Sequence, residues 1–529
     1  MPEATPNSYD EMPYISLPFA QTHPARLAAL ATLFGMQPPM VESCRVLELG
    51  CAAGDNLIPM ALVLPGARFL GIDLSAGQIE RGQQTIAALG LNNIELRHAD
   101  IAAVDVAYGR FDYIVAHGIY SWVPAAVREK VLAICRDNLA RDGVAYVSYN
   151  TLPGWSGRGM LRDLMLQHSR DAEDAAARVR QSRAMLDFLS HSLPAETAYG
   201  ALLRQEIDVL RQEPDAYLFH DHLEIVNDPV YFHQFIAAAE RHDLQFLAEA
   251  EYSMMTPAQL PAAVADGLSR FAADVPALQQ YLDFLTNRTF RQTLLVHRDV
   301  AIVRDLDARS VHGFSVASPV RPLSRTPSLT QGAAEVFRAP NGATLNTVSA
   351  LAKAALLALM RQWPAALPFD RLVAAARALL PPDAVGGADI APAATARDAQ
   401  TLGNEILQCY AAGVVELRVW SPRLSVTPAA RPVASPLARL QAMQGEHVTN
   451  LLLQRVTLDG LTRVLLPLLD GSRDRGALVS ALSDLAARGA LHVQQNGQPL
   501  TRGAALEALL GDAVNTNLPR LAKAGLLVE

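Results

Sequence analysis

The 529-residue sequence is poor in cysteine. Cys44, Cys51, Cys135 and Cys409 form neither a close-spaced metal pair nor a disulfide framework, which points to a reducing compartment. It has no run of about 18 uninterrupted apolar residues, so no membrane-spanning helix is expected. It has no surplus of positive charge: 45 Lys and Arg face 53 Asp and Glu, a net charge of −8, which disfavours broad binding to nucleic acid. Charged residues make up only 19% and apolar ones 50%, the balance of a folded chain rather than a disordered one. The first residues, MPEATPNSYDEMPY, are acidic and polar, unlike a signal peptide. A cytoplasmic protein without membrane insertion is expected. The length exceeds what one hydrophobic core supports, so two to four domains are expected.

From Arg45 to Asn150, strand-like and helix-like runs alternate. RVLEL, RFLGID, NIELRHAD, FDYIVAHG and GVAYVSYN read as strands; NLIPMALVL, AGQIERGQQTIAALG and PAAVREKVLAICRDNLA read as helices. Short apolar strands without clean alternation suit a mostly parallel sheet covered on both faces. LQFLAEAEY and RQTLLVHRD read as two further strands that complete the sheet. Helical insertions at about 157–220 and 255–288 interrupt this core, which spans 45–305 and follows an N-terminal segment, 1–44. Two loose Pro- and Ser-rich stretches, ASPVRPLSRTPSLTQG and SPRLSVTPAARPVASP, set off a middle domain, 306–430, and a C-terminal one, 431–529. Each tail domain carries helices ending in Ala-Gly before a short apolar strand, a winged-helix-like order. Neither has a basic helix, so protein contact rather than DNA binding is expected of them. The expected fold is α/β: a Rossmann-like, seven-stranded core with helical insertions, then two smaller α+β winged-helix-like domains.

The stretch Val46–Val63 (VLELGCAAGDNLIPMALV) joins the first strand to the first helix through Gly50 and Gly54. Glycines there admit unusual φ and let a ligand approach the backbone. A dinucleotide site would use G-x-G-x-x-G with a pyrophosphate on the helix N-terminus. Glu48 stands in the way of a dianion and favours a cationic ligand such as S-adenosyl-L-methionine. Asp73, in GIDLS, can take both ribose hydroxyls; Asp100, in RHADI, can accept from the adenine amino group. All three acids lie at strand C-termini, where open α/β sheets bind ligands. Cys51, Ala52, Asn56, Leu74, Ile101, His117 and Gly118 neighbour these positions and complete the expected cofactor set. His117 reads either as a base or as a hydrogen-bonded residue behind the methionyl group; the second is favoured.

The ordered set ELGCAAG, GID, HAD and FDYIVAHG resembles the class I S-adenosylmethionine-dependent methyltransferases. A narrower resemblance runs over residues 7–300, through HGIYSWVP, SYNTLPGW and LFHDHLEIVNDPVYFHQFIAAAERHDLQFLAEAEYS. These look like bacterial methyltransferases carrying a methyltransferase regulatory domain, a group that includes lysine methyltransferases of bacterial surface proteins. The tails are similar to the middle and C-terminal domains of those enzymes. The resemblance implies N-methylation of protein lysine by in-line displacement, with a surface or outer-membrane protein as substrate. A small-molecule acceptor, with tails serving a homodimer, and a nonenzymatic cofactor-binding regulator remain open. It also implies that the N-terminal stretch closes over the cofactor, with Tyr14 as its lid residue.

Methyl transfer needs alignment and exclusion of water more than acid catalysis. Tyr120 and Trp122 are expected to wall the acceptor pocket, with Tyr149 and Asn150 as further catalytic candidates; aromatic faces attract a sulfonium or ammonium. Trp155 reads as a core anchor. Thr22 is expected to cap the helix that begins at Pro24. His220, His222 and Glu224 match no zinc spacing and read as a polar surface or interdomain contact, so no metal is expected.

Overall fold

Seven strands form one sheet: β1 (Arg45–Leu49), β2 (Arg68–Asp73), β3 (Ile94–His98), β4 (Phe111–Ala116), β5 (Leu139–Asn150), β6 (Leu244–Glu249) and β7 (Phe290–His297). Their order is β3-β2-β1-β4-β5-β7-β6, with β7 antiparallel to both of its neighbours. All other pairings are parallel, so the C-terminal ends of β1 to β6 share one edge. The computed structural model describes residue 12 and residues 16–194, 196–257, 260–381, 392–495 and 498–528.

Helix α1 (Pro24–Leu33) precedes β1; α2 (Leu57–Val63), α3 (Ala76–Leu89) and α4 (Ala125–Asp137) connect the strands. The central strands are covered on both faces, so Val46, Leu47, Val115 and Val147 are fully buried. Each such side chain contributes about 1.5–3 kcal/mol of transfer energy. Between β5 and β6 lie α5 (Trp155–His168), α6 (Ala175–Ser192), α7 (Ala198–Gln212), α8 (Asp215–His222) and α9 (Phe232–Arg241). The first four enclose a separate cluster around Leu161, Leu186, Ile207 and Phe219. Between β6 and β7 lie α10 (Ala262–Phe271) and α11 (Val275–Thr286).

A buried ion cluster fixes α11 to the sheet. Arg291 of β7 donates to both carboxylate oxygens of Asp283 at 2.8 and 2.9 Å and to Glu249 of β6 at 2.6 Å. Thr293 donates to the same Glu249 oxygen at 2.9 Å. Arg291 and Asp283 are almost completely buried, and Arg288, 3.1 Å from Asp283, completes the cluster, so these charges depend on one another for their solvation.

The middle domain has its own core, around Val316, Phe337, Leu356, Leu372 and Ile406. Its strand Ser315–Ala317 sits between Leu367–Pro368 and Glu416–Arg418, against helices Ala350–Gln362, Phe369–Leu379 and Pro392–Ala411. A third core fills the C-terminal domain, around Leu465, Leu482, Leu510 and Leu518. There the strand Val433–Ala434 pairs with Leu527–Val528 at the end of the long helix Ala504–Lys523.

The N-terminal stretch differs from a simple covering segment. Helix α1 is buried on two sides: Leu27, Ala28 and Leu30 pack in the sheet's core, Ala29 and Leu33 in the middle domain's. Thr22 does not cap it, contrary to expectation. His23 does, its Nδ1 accepting from Ala25 N at 3.0 Å, while the Thr22 hydroxyl donates to Phe19 O. A polar side chain one residue nearer the helix takes the cap because Pro24 already supplies the first helical residue.

Candidate active site

The glycine turn is pinned before any ligand arrives. Gly50 N and Cys51 N both donate to Ile72 O, at 2.8 and 3.0 Å, so the turn leans on β2. Gly50 has φ +70°, and a Cβ there would lie 2.2 Å from Ile119 Cδ1. Only glycine meets both demands. Ala52 follows with φ +46°, an uncommon conformation for a residue with a side chain, and its N–H donates to Asp73 Oδ2 at 2.8 Å.

Three carboxylates stand along the edge in unlike settings. Glu48 is 3% exposed. Its Oε1 accepts from Asn56 Nδ2 at 2.8 Å, and its Oε2 is buried without a hydrogen-bond partner. Burial pushes its pKa up to about 8; the Asn56 donation opposes this and the nearby Asp73 charge adds to it. Asp73, last in β2, accepts from Ala52 N on one oxygen and from Ser75 N on the other, both at 2.8 Å. Burial raises its pKa and these N–H groups oppose the rise. Each oxygen keeps a second lone pair for an incoming hydroxyl. Asp100 is exposed and caps a short turn, its Oδ1 accepting from Ala102 N at 2.8 Å. Leu74 beside Asp73 is 61% exposed, and Ile101 follows Asp100, so apolar surface flanks both acids.

His117, just past β4, has Nδ1 within 2.9 Å of Tyr146 OH, and the ring centroid of Phe19 lies 3.7 Å from its own. Burial lowers its pKa to about 3 and holds the imidazole neutral, which suits a hydrogen-bonded wall and not a base. Gly118 donates to Ser148 Oγ at 2.8 Å, and nothing lies within 4 Å of where its Cβ would be.

The aromatic candidates divide. Tyr149 faces away from the crevice: its ring stacks on Phe235 of α9 at 4.1 Å and its hydroxyl lies 3.1 Å from Thr293 Oγ1. Tyr120 is buried in the same cluster, edge-on to Phe235 at 5.0 Å. Tyr120, expected as a pocket wall, and Tyr149, expected as a further catalytic candidate, thus both pack against Phe235. Alternation along β5 puts Tyr146, Ser148 and Asn150 on one face and Tyr149 on the other, under α9. Trp122 is half-buried and edge-on to Trp155 at 6.3 Å. Asn150 accepts from Val230 N through its carbonyl and donates from Nδ2 to Asn227 Oδ1 at 3.1 Å. Tyr14 lies outside the described residues.

His220 and His222 are buried rather than on a polar surface, and His222 stacks on Trp155 at 5.5 Å. Among the described residues, no three His, Cys, Asp or Glu side chains are grouped to hold a metal ion. Phe19 and Thr22 join the site beyond the expected cofactor set, since the return of the chain across the β1 edge brings them to Asn56. A cavity of about 530 Å³ lies beyond them, where α1, the turn after β6, the middle domain and the C-terminal domain meet. Arg26 borders it, bonded to Glu416 at 3.0 Å and lying 3.7 Å from Glu251; the Trp420 ring stacks on His23 at 5.4 Å.

Three family descriptions match the chain: a methyltransferase domain over residues 46–143, a predicted methyltransferase regulatory domain over 214–297, and the PKMT C-terminal winged helix domain over 430–526. An uncharacterized protein of Rickettsia prowazekii, RP789, is 36% identical over 502 residues, 93% of this chain and 89% of that one. The structure of PKMT2 from Rickettsia typhi in complex with AdoHcy is 30% identical, with a TM-score of 0.86, over 98% of this chain and 100% of that one. The chain belongs to the PKMT family. It is therefore a class I S-adenosylmethionine-dependent methyltransferase with a regulatory domain and a C-terminal winged helix. Among the described residues no helix is long and apolar enough to cross a membrane. The crevice fits S-adenosylmethionine: the unpartnered Glu48 Oε2 suits an ammonium, and nothing lies within 4 Å of where a Gly118 Cβ would be.

Proposed function

We propose that this PKMT transfers methyl groups to lysine side chains of proteins, with a bacterial surface or outer-membrane protein as the substrate. The observation that carries the reading is the likeness to PKMT2 along the whole length, tail domains included. A cavity lined by residues of α1, the middle domain and the C-terminal domain supports it, since Ala20 on its wall adjoins Phe19, whose ring lies on His117. The four cysteines are free and buried, which supports a cytoplasmic location.

S-adenosylmethionine, when bound, supplies an electrophilic methyl group. Glu48 would hold the cofactor's ammonium on Oε2, and Asp73 would take the ribose hydroxyls on its remaining lone pairs. Asp100 would accept from the adenine amino group, with Leu74 and Ile101 as apolar neighbours. Gly50, Cys51, Ala52, Gly54 and Gly118 form the backbone cradle, and His117 borders the methionyl end. Trp122 and Asn150 face the acceptor. A free lysine amine, with a reference pKa of about 10.4, arrives protonated. Neutral His117 is too weak a base to hold that proton, so it passes to water as the apolar walls desolvate the ammonium. The freed amine lone pair would then be the acceptor for the methyl group that the cofactor supplies.

Incubation with methyl-labelled cofactor and bacterial envelope protein tests the reading. Acid hydrolysis of the labelled polypeptide should release methyl-lysine, and label on no polypeptide would refute it. The size of the junction cavity alone favours a second reading, a low-molecular-weight acceptor; label confined to a low-mass extract decides for that one.

A further inference from the structure

Asn56 holds the N-cap position of α2, with φ −85° and ψ −42°, and makes no capping hydrogen bond. Asparagine is favoured at that position because its oxygen takes an unpaired helical N–H. Here the amide is used elsewhere. Its Nδ2 donates to Glu48 Oε1 at 2.8 Å and to Thr22 Oγ1 at 2.9 Å, and its Oδ1 accepts from Phe19 N at 2.9 Å. The orientation is forced, because the flipped amide would set an oxygen against the carboxylate and an NH₂ against the Phe19 N–H. The Thr22 hydroxyl, by donating to Phe19 O, closes the segment on itself. Asn56 is 4% exposed, so these bonds have no competition from water.

The partners belong to two different parts of the site. Glu48 is the carboxylate with the single unpartnered oxygen. Phe19–Thr22 is the segment whose ring lies on His117 and which leads directly into α1. The titratable groups facing Glu48 are Asp73 at the end of β2 and the Cys51 thiol on the turn; α2 and the 19–22 segment bring it no charge. Among the described residues Asn56 is therefore the one donor that stabilises the ionised carboxylate.

We propose that Asn56 is a positioning residue that sets Glu48 and the Phe19–Thr22 segment as one unit, so that the carboxylate which receives the cofactor's ammonium and the segment that covers it are placed together. The proposal rests on the cofactor reading of the crevice. It predicts two separable consequences. Losing the Thr22 bond loosens the cover alone, whereas losing Asn56 also changes how readily Glu48 ionises.

The test is calorimetric titration of S-adenosylhomocysteine into the full chain from about pH 6 to about pH 10, for wild type, Thr22→Val, Asn56→Ala and Asn56→Asp. Wild type that fails to bind overturns the cofactor reading itself; the pattern among variants judges the proposal. Thr22→Val is expected to weaken binding roughly threefold with an unchanged pH profile. Asn56→Ala is expected to weaken it roughly tenfold or more near pH 7 and to move the rising limb up by about one pH unit, since a bond to a charged group is lost. Asn56→Asp keeps the shape but cannot donate when ionised, and should do no better than alanine. An aspartate variant that restores affinity, or an alanine variant with the wild-type profile, overturns the proposal. Should Asn56→Ala not fold, Asn56→Ser serves the same comparison: one small donor should give a smaller shift in the same direction, and no shift overturns the proposal.

Discussion

Glu48→Gln should stabilise the cofactor-free protein while weakening its affinity for the cofactor. The ordinary glutamate value is 4.5 and burial carries Glu48 to about 8. Between those values the folded chain keeps a proton that the unfolded chain releases. An acid raised in this way contributes stability that is complete below about 4.5 and is lost as pH rises towards 8. At pH 7 the loss spans about 2.5 units, the difference between 7 and 4.5, or ~3 kcal/mol at 1.36 kcal/mol per unit. Glutamine has no proton to lose, fills the same volume and can still accept from Asn56. The sheet domain's melting transition should therefore rise by about 6–12 °C at pH 7, at roughly 2–4 °C per kcal/mol for a domain of this size. The gain should shrink towards zero as the pH is lowered to about 4.5 and stop growing above about 8. Scanning calorimetry of both forms across that range measures it, and titration with S-adenosylhomocysteine should show roughly 10- to 100-fold weaker binding by the variant. A variant no more stable than wild type at pH 7, with a difference that does not vary with pH, would refute the electrostatic account of Glu48.

Gly50→Ala should abolish cofactor binding, because the new methyl group meets Ile119 Cδ1 at 2.2 Å and φ is +70°. Gly50→Ala with Ile119→Ala should recover part of the affinity but not the ~1–2 kcal/mol of backbone strain, and calorimetry separates the two. Arg291→Met leaves Glu249 buried without its cationic partner and Asp283 with Arg288 alone, and should destabilise the sheet domain by about 3–5 kcal/mol, read by thermal unfolding. Tyr149→Phe removes one hydroxyl from Thr293 and should lower stability by about 1 kcal/mol while leaving kcat unchanged. A large fall in kcat would support Tyr149 as a catalytic residue.

The parallel sheet and its ligand-binding edge were legible in the sequence because both are local. Apolar runs of five or six residues make strands, Gly50 and Gly54 mark the turn, and the acids Glu48, Asp73 and Asp100 follow from each strand's own register. A strand's two faces look alike in sequence, so nothing local showed that Tyr149 lies under α9 while Tyr146 and Ser148 face the crevice. His220 and His222 read as polar for the same reason: their burial depends on which helices close over α8. The site's remaining parts join residues far apart along the chain. Asn56 meets Phe19 and Thr22, α1 is divided between two cores, and Arg26 reaches Glu416. Sequence alone determined which residues could bind a cationic cofactor, because backbone geometry and side-chain chemistry are carried by each short stretch. Only the tertiary structure decided which of them are held in place, because holding depends on burial and on partners that the chain supplies from a distance.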